Sequence, residues 1–298
     1  MKRREIAALL RQAGIENADG EARLLLERFG RVADRHADAA GGALLYADDP
    51  DAENPLLRAA VKRRLEREPL QYILGETAFY RETYRVTPDV LIPRPDTELL
   101  VEEAVRLLPQ NCLFADLCTG SGCVAISVLA ARPDLRAQAV DISEPALAVA
   151  RENAVQNGVA ERISFLRADL LGDDPPSLDG VCAILSNPPY ICSSVLPDLD
   201  PELAFEPRLA LDGGEDGVVF YRAILSRYAE TVGVDGLFLF EIGYDQRQEL
   251  TRLADSHRLT ARFLSDYGGN DRVAVLTRSD SYEENAGSPA LRGKQPRT

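Results

Sequence analysis

The stretch "CLFADLCTGSGCVAIS", residues 112–127, decides the fold. Its first part, "CLFADL", is a short apolar run that reads as a buried strand. The chain then enters Cys118-Thr119-Gly120-Ser121-Gly122 and continues into an apolar segment with the character of a helix. Gly120 and Gly122 tolerate positive φ and let a ligand come close to the backbone. The start of the following helix offers N–H groups without intrahelical partners, a natural seat for a nucleotide-type ligand. Gly120, Gly122 and Ala125 also satisfy the loose G-x-G-x-x-G/A fingerprint of dinucleotide-binding turns. Taken alone the fingerprint is weak, because a purely structural tight turn uses the same residues.

Outward from this turn the pattern repeats. "RAQAVDI" reads as a strand, followed by a helix over residues 145–157; "ISFLRADL" and "GVCAILSN" are further strands. A helix over about 218–232, the strand "GLFLFEIG", a helix over 245–256 and a strand pair or last strand in "RFLSDYGGNDRVAVLTR" complete the series. Strand–helix alternation of this kind predicts a parallel, doubly wound α/β sheet. Before it, "AFYRETYRVT" is rich in β-branched and aromatic residues and predicts a hairpin. Pro88, Pro93 and Pro95 then interrupt regular structure, and Asp96 or Thr97 caps a helix over 98–108. The first 75 residues read as helices. One is "EARLLLERFG", 21–30, with Asp19 as N-cap and Gly30 as its closing residue. Another is "NPLLRAAVKRRLERE", 54–68, with Asn54 as N-cap, Pro55 in the first turn and an apolar face of Leu57, Val61 and Leu65. The expected organisation is a helical bundle over 1–75, a hairpin linker over 76–92, an α/β domain over 93–278 and a disordered tail over 279–298.

The net charge of −14 is unevenly placed. Residues 1–75 are balanced, so the whole excess of acid lies in the remainder of the chain. Such a surface repels a phosphate backbone and argues against duplex binding. The basic cluster Lys62-Arg63-Arg64 with Arg67 is interleaved with Glu66 and Glu68 and reads as a solvated helix face. No run approaches the roughly 18 apolar residues of a membrane span, and the N-terminus lacks the core of a signal peptide. The five cysteines are odd in number and form no C-x-x-C pair, so free thiols in a reducing cytoplasm are expected and a zinc site is not.

Two acids mark a nucleoside site. Asp141 ends the second strand of the alternating series, where an acid accepts the two ribose hydroxyls of an adenosine; the competing role is a helix N-cap. Asp169, ending the third, can accept from an adenine amine while Leu170 covers the ring. This cradle fits NAD and S-adenosylmethionine equally. "SNPPY", residues 186–190, separates them. Pro188 and Pro189 have no N–H and a fixed φ, so they hold backbone carbonyls in place as acceptors. Asn187 adds a side-chain carbonyl. Convergent acceptors suit a planar –NH₂ group, and Tyr190 offers a flat face for it. Hydride transfer has no need of such an arrangement.

Further segments narrow the reading: "REPLQYILGE" (67–76), "IPRPDTE" (92–98), "DLCTGSG", "SNPPYI", "FEPRLALDGGEDG" (205–217), "EIG" (241–243) and "DYGGNDRV" (266–273). In this order, over about residues 5–277, they resemble the HemK/PrmC family, the peptide chain release factor N5-glutamine methyltransferases. The resemblance implies a Rossmann-like, seven-stranded S-adenosylmethionine-dependent methyltransferase domain over 93–278, preceded by a hairpin and a small all-α domain over 1–75 that docks the substrate protein. It implies methylation of the glutamine in the Gly-Gly-Gln loop of release factors, by a cytoplasmic, monomeric enzyme that uses no metal. The expected donor-binding residues are Cys118, Thr119, Gly120, Ser121, Gly122, Asp141, Asp169, Leu170 and Asn187. The expected substrate-binding residues are Asn187, Pro188, Pro189 and Tyr190, with Asn187, Pro188 and Tyr190 catalytic. Cys118 departs from the family pattern, which often has glycine there. Arg94 and Glu98 shape the donor pocket or lock the linker, and Phe205, Glu206 and Pro207 form a lid or touch the substrate loop. The alternatives are an adenine-N6 methyltransferase of DNA or RNA, an NAD-dependent dehydrogenase, and a binding module for translation factors without turnover.

Overall fold

The computed structural model describes residues 1–30, 54–230, 232 and 236–278. The expected tail at 279–298, part of the N-terminal helical region and position 231 lie outside these residues; the helix expected over 218–232 ends at Tyr228.

The N-terminal part contains α1 (Arg3–Gln12), α2 (Ala18–Phe29), α3 (Pro55–Leu65) and the short α4 (Leu70–Leu74). Ile6, Leu10, Leu25, Leu57, Val61 and Ile73 close a small core of their own among these helices. Asn54 caps α3 by accepting the Leu57 N–H at 3.0 Å, with Pro55 in the first turn. α2 begins three residues before the expected start. Asn17 stands at its N-cap, so Asp19 lies inside the first turn and pairs with Arg11 instead of capping.

The hairpin β1 (Glu76–Phe79) and β2 (Glu82–Arg85) follows. It is bonded into the rest of the chain on three sides. Phe79 and Tyr84 enter the main core, and the Tyr80 N–H donates to Glu98 Oε1 at 2.9 Å. The Tyr84 hydroxyl meets Ser127 Oγ at 2.7 Å, and Asn153 exchanges two hydrogen bonds with the Arg85 backbone. Glu98 thus takes the linker-locking role. The turn Pro95–Thr97 is a single 3-10 turn before α5 (Glu98–Leu107), and neither Asp96 nor Thr97 makes a side-chain cap.

The remaining elements are β3 (Leu113–Leu117), α6 (Cys123–Ala131), β4 (Arg136–Asp141), α7 (Glu144–Gln156), β5 (Ile163–Arg167), β6 (Val181–Ser186), α8 (Val219–Tyr228), β7 (Leu237–Glu241), α9 (Arg247–Ser256), β8 (Leu259–Ser265) and β9 (Asp271–Arg278). They build a seven-stranded sheet in the order β5-β4-β3-β6-β7-β9-β8. All neighbours are parallel except around β9, which runs antiparallel to β7 and β8. The cause is local: "DYGGN" is too short for a crossover, and Gly269 at φ +82° turns the chain straight back. Period-two alternation sorts the sheet onto two layers. In β7, Leu237 and Leu239 face the core under α5 and α6, while Phe238 and Phe240 face α8 and α9. Strand order reverses between β3 and β6, so the carboxyl ends of β3, β4 and β6 open on one crevice, the usual ligand position in such sheets.

Two sequence expectations fail here. Cys112 and Cys182 form a disulfide, leaving Cys118, Cys123 and Cys192 as free thiols. The two are far apart in sequence, but β3 and β6 are neighbours, and the irregular register between Leu113 and Phe114 leaves Cys182 as the extra residue beside Cys112. Second, the basic cluster on α3 is not uniformly solvated. Lys62 is exposed, but Arg64 is buried, bonds Glu21 at 2.6 Å and reaches Glu202 at 3.2 Å. Arg67 meets the same Glu202 at 2.8 Å. The cluster fastens the N-terminal helices to the turn Pro201–Phe205. Among the described residues, no helix is long and apolar enough to cross a membrane, and no cluster of His, Cys, Asp and Glu is arranged to hold a metal.

Candidate active site

A cavity of about 260 Å³ opens at the crevice over β3, β4 and β6. Cys118, Thr119, Gly120, Ser121, Asp141, Asp169, Leu170, Asn187 and Pro189 line it, so one site gathers most of the residues expected from sequence.

The turn after β3 forms the floor. Gly120 has φ +55° and open space where a Cβ would stand, so a ligand can lie directly against its backbone. Gly122, at φ +80°, does not line the cavity. A Cβ there would meet Ile126 at 2.8 Å and Ala150 at 3.2 Å, so this glycine lets α6 pack close to α7. Asn153 braces the turn by donating to the Ser121 carbonyl at 2.9 Å. Asp116 anchors it from below: its Oδ2 accepts from the Thr119 hydroxyl at 2.6 Å and the Ala125 N–H at 3.2 Å. Burial pushes the Asp116 carboxyl up to about 7 against those two bonds.

Asp141 closes β4 beside the turn. It accepts the Gly120 N–H at 2.9 Å and the Ser143 N–H at 2.9 Å. Burial raises its pKa, and these backbone bonds oppose the rise. Ser143, not Asp141, caps α7, accepting the Ala146 N–H at 3.2 Å. The N-cap alternative for Asp141 is thereby removed. Each carboxylate oxygen can accept more than one hydrogen bond, and Asp141 lines the cavity, an arrangement that suits a pair of vicinal hydroxyls. Asp169 and Leu170 lie just beyond the end of β5. Asp169 is exposed and accepts the Leu171 N–H at 2.8 Å, while Leu170 is buried. Arg227, from α8, ties this loop down through the carbonyls of Leu170 and Gly172.

The other wall is built from residues far apart in sequence. Ser186 ends β6 and donates to the Leu117 carbonyl at 2.6 Å, which aligns Asn187 with the turn after β3. Asn187 Nδ2 donates to Thr97 Oγ1 at 3.2 Å. Its amide nitrogen is thus committed to Thr97, and Asn187 lines the cavity. Arg94 lines the cavity and forms an ion pair with Glu206; Glu206 Oε2 also accepts the Ile92 N–H at 3.0 Å. Pro207 and Leu209, just beyond, complete the rim. The segment after "SNPPY" is therefore stitched to "IPRP" by one buried carboxylate.

Pro188 and Tyr190 do not line the cavity. Pro188 is buried, and Tyr190 packs against the core beneath α8. The Tyr190 hydroxyl donates to Glu241 Oε1 at 3.2 Å, and its carbonyl accepts from Gln246 Nε2 at 3.1 Å. Tyr190 is thus held at both its hydroxyl and its carbonyl, and its ring is half-buried. Cys118 and Cys123 line the cavity too, but burial raises both thiols, Cys123 to about 12. Neither is a thiolate nucleophile at neutral pH.

Sequence reasoning missed Asp116, Thr97 and Glu241 as parts of the site, and it named Arg94 and Glu206 without pairing them. A buried acid after the apolar residues of β3 is the one signal that pointed to Asp116. The other links span 51 to 112 positions and carry no local mark.

The N-terminal residues 3–75 match the family model "PrmC N-terminal domain", and residues 95–196 match "Methyltransferase small domain". A release factor glutamine methyltransferase of Caulobacter vibrioides is 37% identical over 273 residues, 89% of this chain and 91% of its own length. One from Moorella thermoacetica is 42% identical over 226 residues, 74% of this chain and 79% of its own. The crystal structure of a release factor-specific protein-(glutamine-N5) methyltransferase from Alicyclobacillus acidocaldarius is 31% identical, covers 65% of this chain and 99% of that one, and has a TM-score of 0.39. With helical and methyltransferase models matched in the order in which the chain folds, and relatives that align across most of both lengths, this chain belongs to the release factor glutamine methyltransferase family.

Proposed function

We propose that the protein transfers a methyl group from S-adenosylmethionine to the side-chain amide nitrogen of the glutamine in the Gly-Gly-Gln loop of peptide chain release factors. The observation that carries this reading is Asn187. Its Nδ2 is committed to Thr97, so its Oδ1 is the group free to accept a proton from an –NH₂ group in the cavity.

The residues present fit the donor. The bare backbone of Gly120 leaves room for the donor's polar chain, Asp141 offers carboxylate oxygens to the ribose, and Leu170 supplies apolar surface for the base. When bound, S-adenosylmethionine supplies an electrophilic methyl group on a sulfonium. The difficulty is then the amide nitrogen, whose lone pair is delocalised into its own carbonyl. Asn187 Oδ1 would accept one of the two amide protons; Pro188, buried beside it, does not line the cavity. That orients the nitrogen for in-line attack and stabilises the positive charge that develops on it. The proton can leave after transfer, so no general base is required.

The acidic surface of the catalytic part favours a protein amide over the amine of a nucleic acid base. Tritiated-methyl transfer from S-adenosylmethionine to a release factor, to DNA and to RNA tests the reading directly. Label should enter the release factor, with one added methyl on the Gly-Gly-Gln peptide by mass spectrometry. Label in nucleic acid with an unmodified peptide would overturn it.

A further inference from the structure

We propose that Thr97 and Glu241 are positioning residues: together they decide which end of the Asn187 amide faces the cavity. The inference rests on the acceptor role of Asn187 given above. The two ends of an amide are nearly equal in size, so packing cannot choose between them; only hydrogen bonding can.

Thr97 is 1% exposed and has one hydroxyl proton. Its oxygen receives the Asn187 Nδ2–H at 3.2 Å, so that proton must go elsewhere. Glu241 is the acceptor at hand. It ends β7 beside the residue after β6, is 1% exposed, and takes the Tyr190 hydroxyl on Oε1 at 3.2 Å. Its Oε2 is enclosed and makes no hydrogen bond, and Thr97 is among the neighbours that oppose the rise of its pKa. An ionised carboxylate only accepts. The chain Asn187 N–H to Thr97 O–H to Glu241 then has one direction, and Asn187 Oδ1 points into the cavity.

Protonation of Glu241 reverses this direction. A neutral carboxyl can donate to Thr97, which turns the threonine proton toward Asn187. Only the amide oxygen can receive it, so Oδ1 swings inward and –NH₂ faces the substrate amide, donor against donor. Burial pushes Glu241 up to about 7, opposed by Thr97, Arg272 and Tyr190. The titratable groups around it are Tyr190, Arg272 on β9, Asp96 before α5, Cys123 on α6 and Tyr221 on α8, whose hydroxyl bonds the Glu241 carbonyl at 2.7 Å. Asp96 and Asp266 share Arg272, at 3.4 and 3.1 Å, so its charge is divided among three acids.

The sign of the effect separates positioning from mere support. A carboxyl whose folded pKa is raised above its unfolded value favours the folded state at low pH, and that contribution is lost as pH rises through about 7. Thermal stability due to Glu241 should therefore increase on acidification through that value, while kcat should fall. The experiment measures kcat, KM for a full-length release factor, donor affinity by calorimetry and melting temperature, each across pH 6–8.5. Thr97→Val and Glu241→Gln should lower kcat roughly 10- to 100-fold with donor affinity within about twofold, Thr97→Ser should restore it, and Glu241→Gln should remove the acid limb. A wild-type kcat that is flat through pH 7, or a Thr97→Val enzyme with normal kcat while Asn187→Ala is inactive, would overturn the inference. If Asn187→Ala itself turns over normally, the acceptor reading fails first, and this one with it. The wild-type profile needs no substitution, so a variant that fails to fold does not spoil the test.

Discussion

The two walls of the cavity are made differently. The wall proposed for the donor is short-range. Asp116 bonds Thr119 and Ala125 within a single strand–turn–helix unit, and Asp141 accepts the Gly120 N–H from the next strand. The wall proposed for the methyl acceptor is long-range. Asn187 depends on Thr97, Tyr190 on Glu241, and Glu206 on Arg94 and Ile92, each pair drawn from separate elements. A nucleotide-like ligand can be seated by backbone geometry alone, because glycines and helix N–H groups suffice. Discriminating one –NH₂ group needs acceptors whose orientation is enforced from behind, and the chain obtains that only by tertiary packing.

This contrast is broken or sharpened by substitution, and the largest effect belongs to the acceptor wall. Asn187→Ala should lower methylation about 10²- to 10³-fold, as loss of one transition-state hydrogen-bonding partner does. Donor affinity by calorimetry should stay within about twofold. If both collapse together, the two walls are not separable. Next in size is the donor wall. Asp141→Ala should weaken S-adenosylmethionine about 10- to 100-fold, the worth of charge-assisted hydrogen bonds, while kcat at saturating donor changes little. Unchanged affinity would remove Asp141 from the ribose. Glu206→Gln tests the link between the walls. It removes the charge opposite Arg94 but keeps an acceptor for the Ile92 N–H. The Arg94 side chain is 34% exposed, so its loss of a partner is softened by solvent; KM for the release factor should rise several-fold with a modest fall in melting temperature. A KM that does not move would confine Glu206 to a structural role.

The same contrast explains how much was legible in advance. Strand–helix alternation announced the sheet, because hydrophobic periodicity and glycine turns are written within a few residues of where they act. Gly120, Asp141 and Asn187 were legible for the same reason. The direction of β9 was open until the short "DYGGN" turn was seen to reverse the chain. Arg64 looked like a surface residue because its neighbours Lys62, Arg63 and Glu66 are charged; its burial depends on Glu21 and on Glu202, the latter 138 positions away. Tyr190 reads as a stacking face because an aromatic beside two prolines suggests one. Nothing local reveals that Glu241 and Gln246 hold both its ends. The Cys112–Cys182 pairing is likewise a consequence of strand order, which cysteine spacing does not encode.

The smallest expected effect comes from within the donor wall. Cys118 has φ +60°, in the left-handed region that costs a non-glycine residue about 1–2 kcal/mol. Glycine would remove that strain but add chain entropy to the unfolded state, a penalty of about 0.5–1 kcal/mol. Cys118→Gly should therefore stabilise the protein by about 1 kcal/mol at most, a rise in melting temperature of roughly 2–4 °C. Gly120→Ala is the informative partner. Gly120 has nearly the same φ, +55°, yet its missing Cβ faces open space in the cavity. Alanine there should cost both strain and donor affinity. If Cys118→Gly leaves donor affinity unchanged while Gly120→Ala lowers it, the two neighbours divide their duties: one position tolerates a side chain at the edge of the turn, and the other must be bare. If Cys118→Gly also weakens the donor, the cysteine side chain is a contact, and the strain at that position is offset by binding.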